Sequence, residues 1–235
     1  MKYLYFFLLT GLLLSAQEKT AADSIKITGG IKEVIVAARQ QSKAVTVGGG
    51  TRKKALLWPY TPESTMIATH FCWEESYTTT PYIQSVTVHT RNKTKSGGNF
   101  KLHLYKMGAD SLPGEELVPN GIMAKAKSGS RATKVELSVY NLALPKEGVI
   151  VGYEWLKVDE NMYGYEATGA IEDGALKIAD KKDRVLTPAP DVYLNDVLRA
   201  TTYFFSDKWH KLQRNTWARH QGYFIRPAIN MTLTN

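Results

Sequence analysis

The chain has 235 residues, 43% of them hydrophobic and 22% charged, with a formal net charge of +8. That composition is ordinary for a globular protein and excludes a disordered or low-complexity chain, and a chain of this length buries roughly 70% of the surface its unfolded form exposes. A single cysteine, Cys72, excludes an intramolecular disulfide and any structural zinc site built from several thiolates.

Residues 1–16 read as a secretory signal. Lys2 supplies the positive start, an apolar run follows from Tyr3 to Leu14, and Ser15-Ala16 provides the small residues a signal peptidase needs. The run falls short of the about twenty apolar residues that span a bilayer, so after cleavage we expect no transmembrane segment. No cysteine stands at the cleavage point to carry a lipid. The expected location is therefore outside the inner membrane: periplasmic, outer-membrane-associated or extracellular.

Residues 17–55 form a Gly-rich leader in which 34–36 and 45–47 read as brief strands, ending at Gly48-Gly49-Gly50. From 56 to 235 helical periodicity is nearly absent. Short segments with period-two alternation and β-branched or aromatic content recur between Gly, Pro, Asn and Asp clusters. The expected strands are 66–73, 83–90, 100–106, 134–140, 149–156, 163–167, 176–179, 200–206 and 223–234. Within the last, Ile229, Met231 and Leu233 fall on one face and Asn230, Thr232 and Thr234 on the other. In 100–106, Phe100, Leu102 and Leu104 face a core while Lys101, His103 and Tyr105 face outward. The segment 149–156 is apolar on both faces, as a strand covered on both sides would be. The pattern predicts an all-β fold, an antiparallel two-sheet β-sandwich of jelly-roll kind over residues 56–235.

Several of these pieces, taken in order, carry a family likeness. They are Thr80-Pro81-Tyr82-Ile83, Phe100-Lys101-Leu102-His103-Leu104-Tyr105, Leu112-Pro113-Gly114-Glu115-Glu116-Leu117, Val135-Glu136-Leu137-Ser138-Val139-Tyr140, and the run from Leu144-Pro145 to Glu154-Trp155. Together, over roughly residues 60–160, they resemble the exported β-sandwich region of Bacteroidetes proteins labelled carboxypeptidase-like regulatory domain-containing. The resemblance implies a secreted or cell-envelope β-domain without catalytic activity. In fuller members a small regulatory-like β-domain precedes the sandwich, and residues 17–55 are too short to be one, so no peptidase function and no site residues carry over. Physically, Pro113-Gly114 reads as a type II turn and Pro145 to Gly148 as a polar turn feeding the strand that follows.

The densest polar chemistry lies at His70-Phe71-Cys72-Trp73-Glu74-Glu75. On a strand, His70, Cys72 and Glu74 share one face and could ligate a metal. Against this, a lone thiol in an exported protein risks intermolecular oxidation, which favours a small buried cysteine among ordinary strand neighbours. His89, His103, His210 and His220 complete the histidines, and no Gly-x-Ser-x-Gly elbow accompanies them. Glu154, Glu160 and Glu166 have no informative spacing. We assign no catalytic residue, metal or cofactor.

Trp209 and Trp217 flank a polar segment containing Arg214 that reads as an exposed loop or ragged hairpin. Rings beside Arg and Asn side chains are what a sugar-binding surface uses, and Trp209, Arg214 and Trp217 are the candidate ligand-binding residues. The competing reading has both rings capping the end of the core. Trp58-Pro59-Tyr60 is similarly placed. The basic clusters are scattered, so nucleic acid is not an expected partner; an envelope protein or a glycan is. Asn92-Lys93-Thr94 and Asn230-Met231-Thr232 match the glycosylation sequon by chance. The function expected is a non-catalytic binding module, the alternatives being a carbohydrate-binding module or an exported hydrolase with an unrecognised site.

Overall fold

The computed structural model describes residues 42–48, 56–57, 65–166, 170–172, 175–177, 182–186, 189–195, 201–212 and 224–235. The chain divides into two units, Met1–Gln40 and Gln41–Asn235, and every described residue lies in the second. The signal reading of residues 1–16 and the short strand at 34–36 lie outside the described residues.

The strands in chain order are β1 (Ala44–Gly48), β2 (Leu56–Leu57), β3 (Met66–Phe71), β4 (Tyr82–Asn92), β5 (Gly98–Met107), β6 (Pro113–Glu116), β7 (Ile122–Ala126), β8 (Gly129–Glu136), β9 (Val149–Trp155), β10 (Met162–Glu166), β11 (Ala170–Glu172), β12 (Ala175–Lys177), β13 (Lys182–Leu186), β14 (Ala189–Asn195), β15 (Thr202–Phe205), β16 (Trp209–Lys211), β17 (Phe224–Pro227) and β18 (Ile229–Thr234). One sheet runs β1-β18-β4-β14-β17, with β8 also on β4 and β2 on β14. The other runs β16-β15-β3-β9-β5-β6, with β7 also on β5. Strands β10 and β13, and β11 and β12, form two small ladders of their own. Every pairing named here is antiparallel. The all-β, antiparallel reading of the sequence holds. Part of the leader joins in, because β1 lies along β18 from Ala44↔Thr234 to Gly48↔Asn230.

One apolar layer joins the two sheets. The first sheet contributes Ile83, Val86 and Val88 of β4, Val135 of β8, and Ile229, Met231 and Leu233 of β18. The second contributes Ile67 and Phe71, Phe100, Leu102 and Leu104, and Val149, Val151, Tyr153 and Trp155. Apart from Ile83 these are alternating positions, which the period-two pattern places on one side; in β4 a register shift between residues 83 and 85 brings Ile83 to the same side as Val86 and Val88. Phe100 and Tyr153 stack at 4.9 Å, and Trp155 meets Tyr153 edge-on at 5.3 Å. Asn161 anchors the far end of β5. Its Oδ1 accepts from the Asn99 N–H at 2.8 Å, while Nδ2 donates to the carbonyls of Asn99 and Leu156.

Three expectations are corrected. The strand read over 134–140 ends at Glu136, and Ser138–Tyr140 is a 3-10 turn closed by Asn141 at φ 49°. The strand read over 223–234 is two. Pro227 has no N–H to extend a ladder, and at Ala228 the chain passes from pairing with β14 to pairing with β4. Pro113-Gly114 is not a turn but the start of β6. The reversal lies earlier, where Ser111 takes φ 59°, its N–H reaches the Gly108 carbonyl, and the Gly108 N–H reaches Leu112. The turn at Pro145 stands as read: Gly148 sits at φ +83° with its N–H on the Pro145 carbonyl.

The inward positions carry the stability. Leu102→Ala is expected to lower the unfolding free energy by roughly 2–5 kcal/mol, whereas Thr232→Ala, on the wet face of β18, should change it by no more than about 0.5 kcal/mol. Urea denaturation of both variants at one temperature checks this.

Candidate functional site

A two-sheet sandwich buries its core between the sheets and leaves the outer faces to water. The outer face of the second sheet departs from this, because β9 is apolar there too. Ile150 is fully buried on that side with Ala68 and Tyr203, and Tyr105, Met107, Leu112 and Trp209 pack against the three. The floor beneath is low. Ala68 of β3 pairs directly with Gly152 of β9, and a Cβ on Gly152 would stand 3.3 Å from the Tyr105 ring and 3.2 Å from Met66 Sδ. Tyr105 reaches from β5 across β9, its hydroxyl donating to Met66 Sδ at 3.5 Å. Tyr203 leans the other way from β15, and its hydroxyl donates to the Ser111 carbonyl at 3.2 Å. Two tyrosines thus lie across the small central residues from opposite sides.

A short hairpin adds the third ring. Strands β15 and β16 turn through Ser206 to Lys208, where the Ser206 hydroxyl donates to Asp207 and Asp207 faces His210. Trp209 then falls directly opposite Phe205. Its indole meets Phe205 edge-on at 5.2 Å and Tyr105 edge-on at 5.6 Å. Tyr105, Phe205 and Trp209 are all half-buried, so each keeps part of its ring surface toward solvent.

Beside the rings, His103 bridges two carboxylates. Its Nδ1 lies 2.5 Å from Glu116 and its Nε2 2.8 Å from Glu154. Both contacts are donated by the ring only when it carries both protons, as imidazolium. Chain topology builds this arrangement. Strands β6 and β7 share one edge of β5, β6 beside Tyr105 to Met107 and β7 beside Gly98 to Leu102. His103 sits at the step between them, and there the chain turns through Asn120 and Gly121, both at φ 66°. Gly121 presses on the imidazole: a Cβ would come within 2.6 Å of the ring. Tyr105 stacks parallel to it at 5.8 Å.

The electrostatics follow from this enclosure. Burial disfavours the His103 charge, but hydrogen bonds to Glu154 and Glu116 and their negative charges outweigh it, and the pKa is raised. Glu154 is held below its usual range, chiefly by the His103 hydrogen bond and despite its own burial, with Lys101 adding a smaller pull. Burial, then the two carboxylate charges, raises the Tyr105 phenol well out of reach of physiological titration. His103 has no ring nitrogen left to act as a base. Each carboxylate keeps one oxygen with no partner among the described residues, and the two side chains are 21% and 27% exposed.

Of the candidate ligand-binding residues, Trp209 lies on this outer face rather than at the end of the core. Arg214, Trp217, His220 and Trp58-Pro59-Tyr60 lie outside the described residues. Cys72 is exposed, correcting the expectation of a buried thiol, because β3 ends at Phe71, two residues before the end of the expected strand. Its Sγ is 3.6 Å from His70 Nδ1, while His70 Nε2 donates to the Glu147 carbonyl at 2.8 Å. Desolvation lowers the His70 pKa, with that backbone bond opposing the shift. Glu74 turns instead to the Ser76 hydroxyl. No group of three His, Cys, Asp or Glu among the described residues is placed to hold a metal. Glu154 enters the His103 bridge, whereas Glu160 is exposed on the 3-10 turn Asp159–Asn161. Asn92 is buried and accepts from the N–H and hydroxyl of Thr94, a local turn rather than a glycan acceptor.

Reading the sequence missed Tyr105, Glu116 and the pairing of His103 with Glu154. A signal was present. A strand apolar on both faces inside a sandwich requires a cover on its outer side, and the outward residues of the neighbouring strand, His103 and Tyr105, are the nearest side chains able to supply one.

No protein-family model matches this chain, and no curated protein does. Among solved structures it is similar to the crystal structure of the cysteine protease and lectin-like domains of Cwp84, a surface layer associated protein of Clostridium difficile, at a TM-score of 0.41 and 12% identity. That match covers 74% of this chain and 32% of the other, so the chain spans about a third of the structure it matches. Similarity at this level carries no argument about function.

The bridge predicts a stability profile with two limbs. His103 has a raised folded pKa, so its contribution is complete below its ordinary value of about 6.5 and is lost as pH rises through the folded value. Glu154 has a lowered folded pKa, so its contribution is complete above about 4.5 and is lost as pH falls through the folded value. Denaturation across pH 3 to 9 should show both limbs in the parent chain, and His103→Ala should flatten the alkaline one. Persistence of that limb in the variant would assign it to another group.

Proposed function

We propose that this chain is an exported, non-catalytic binding module that holds its partner on the outer face of the second sheet. One observation carries the reading. Tyr105, Phe205 and Trp209 stand half-buried on a face that the main core does not use, beside two carboxylates that each keep one oxygen with no partner among the described residues. Contiguous ring surface edged by polar groups on an otherwise complete fold is the usual mark of a binding surface. Export rests on the signal-like residues 1–16 and on the resemblance of residues 60–160 to exported sandwich domains. Among the described residues no helix is long and apolar enough to cross a membrane. The absence of catalysis rests on His103, whose two nitrogens are both committed to carboxylates.

A second reading, an exported hydrolase, draws on the exposed Cys72 and on His70 Nδ1, which lies 3.6 Å from its sulfur. One experiment separates the two. The purified full chain is mixed with envelope material from the cells that produce it, before and after alkylation of Cys72 with iodoacetamide. A binding module sediments with that material in both states and releases no soluble fragments. Trp209→Ala should lose sedimentation while keeping its melting temperature within a few degrees. Fragment release that alkylation abolishes would replace this reading with the hydrolase.

A further inference from the structure

The polar half of this face also says what kind of ligand it suits. Resting on the binding-face reading above, we propose that the site takes a neutral sugar, its ring laid against Tyr105 with Trp209 at its side, and its hydroxyls on the Glu116 and Glu154 oxygens that have no partner among the described residues.

The argument begins with the charges. Glu116 and Glu154 are negative, the doubly bonded His103 is positive, and Lys101, opposite Glu154 across β5 and β9, is positive. These four cancel. Nearby, Glu115 is already paired with Lys106 at 2.6 Å, while Asp110, accepting the Leu112 N–H in the β5–β6 turn, keeps its one negative charge. The bridge and Lys101 together therefore offer acceptor capacity without an excess of negative charge. A cationic ligand would gain the carboxylates but meet His103 and Lys101, while an acidic one would meet both carboxylates. A neutral donor meets neither penalty.

The second part is shape. A pyranose has one flat face of C–H groups and a rim of hydroxyls, so it needs an apolar plane and in-plane acceptors side by side. Tyr105 supplies both the plane and the link, since it stacks parallel to the His103 ring that fixes the two carboxylates. Trp209 of β16 stands at 74° to that plane and walls one side of it. Donors from hydroxyls to ionised carboxylates are also the stronger class of hydrogen bond. The imidazolium holds the acceptors in place before the ligand arrives, which reduces the ordering cost of binding.

The test uses the intact chain and three defined probes. These are a panel of neutral gluco-, xylo-, manno- and galacto-oligosaccharides, an oligogalacturonate, and a lysine oligopeptide, each titrated while the Trp209 indole N–H resonance is followed. A neutral oligosaccharide should shift that resonance with an affinity insensitive to salt. Trp209→Ala should weaken its binding about tenfold or more. The same sugar with its hydroxyls capped as methyl ethers should fail to bind the parent chain, a readout that needs no folded variant. A shift only with the lysine peptide, weakening with salt, would overturn the sugar and leave the binding face standing. No shift of Trp209 with any probe, together with envelope binding that survives Trp209→Ala, would overturn both.

Discussion

Strand β9 imposes the governing constraint on this molecule. From Val149 to Gly152 it offers no polar side chain to either side, so both faces of its sheet must be roofed. The inner roof is the opposing sheet. The outer roof has to be made from the sheet's own side chains, since no helix lies over it among the described residues. Small residues at Ala68 and Gly152 let Tyr105 and Tyr203 lie down across the strand instead of standing up from it. The aromatic surface is thus a consequence of covering Ile150, and its availability to a partner is a consequence of covering it with rings that are themselves only partly enclosed.

The carboxylate bridge follows from the same geometry but obeys a different rule. A buried imidazolium is costly unless its charge is matched and its protons are placed, and here two carboxylates do both. Their other oxygens remain toward solvent, which keeps each acid partly hydrated and lowers the cost of bringing them together. Removing either acid would leave a buried ring proton without an acceptor, so the three residues act as a unit. That unit ties β5 to both its neighbours at the point where β6 ends and β7 begins.

Much of the fold was legible in the sequence, and the reason is periodicity. The alternation of Phe100, Leu102 and Leu104, and of Ile229, Met231 and Leu233, names the inward face directly. What was not legible depended on long-range partners. The tetrapeptide Pro113-Gly114-Glu115-Glu116 has no apolar alternation and begins with two turn-formers, so nothing local marks it as a strand; pairing with β5 makes it one. Glu116 could not be brought to His103 without knowing that pairing. Trp209 was visible as a ring in a polar stretch, yet its position opposite Phe205 depends on a three-residue hairpin strand that has no pattern of its own. Pro227 was a printed warning that the final strand is divided, because a missing N–H interrupts any ladder that needs it.

Among the described residues, the second sheet ends in very short strands. On one border stands β16 with 3 residues, and on the other β6 with 4 and β7 with 5 divide the margin between them, offset by a step. Long, flat borders invite other chains to add themselves by backbone pairing, and brief or broken ones do not. This sheet therefore displays its rings without offering a long border for backbone pairing with identical copies.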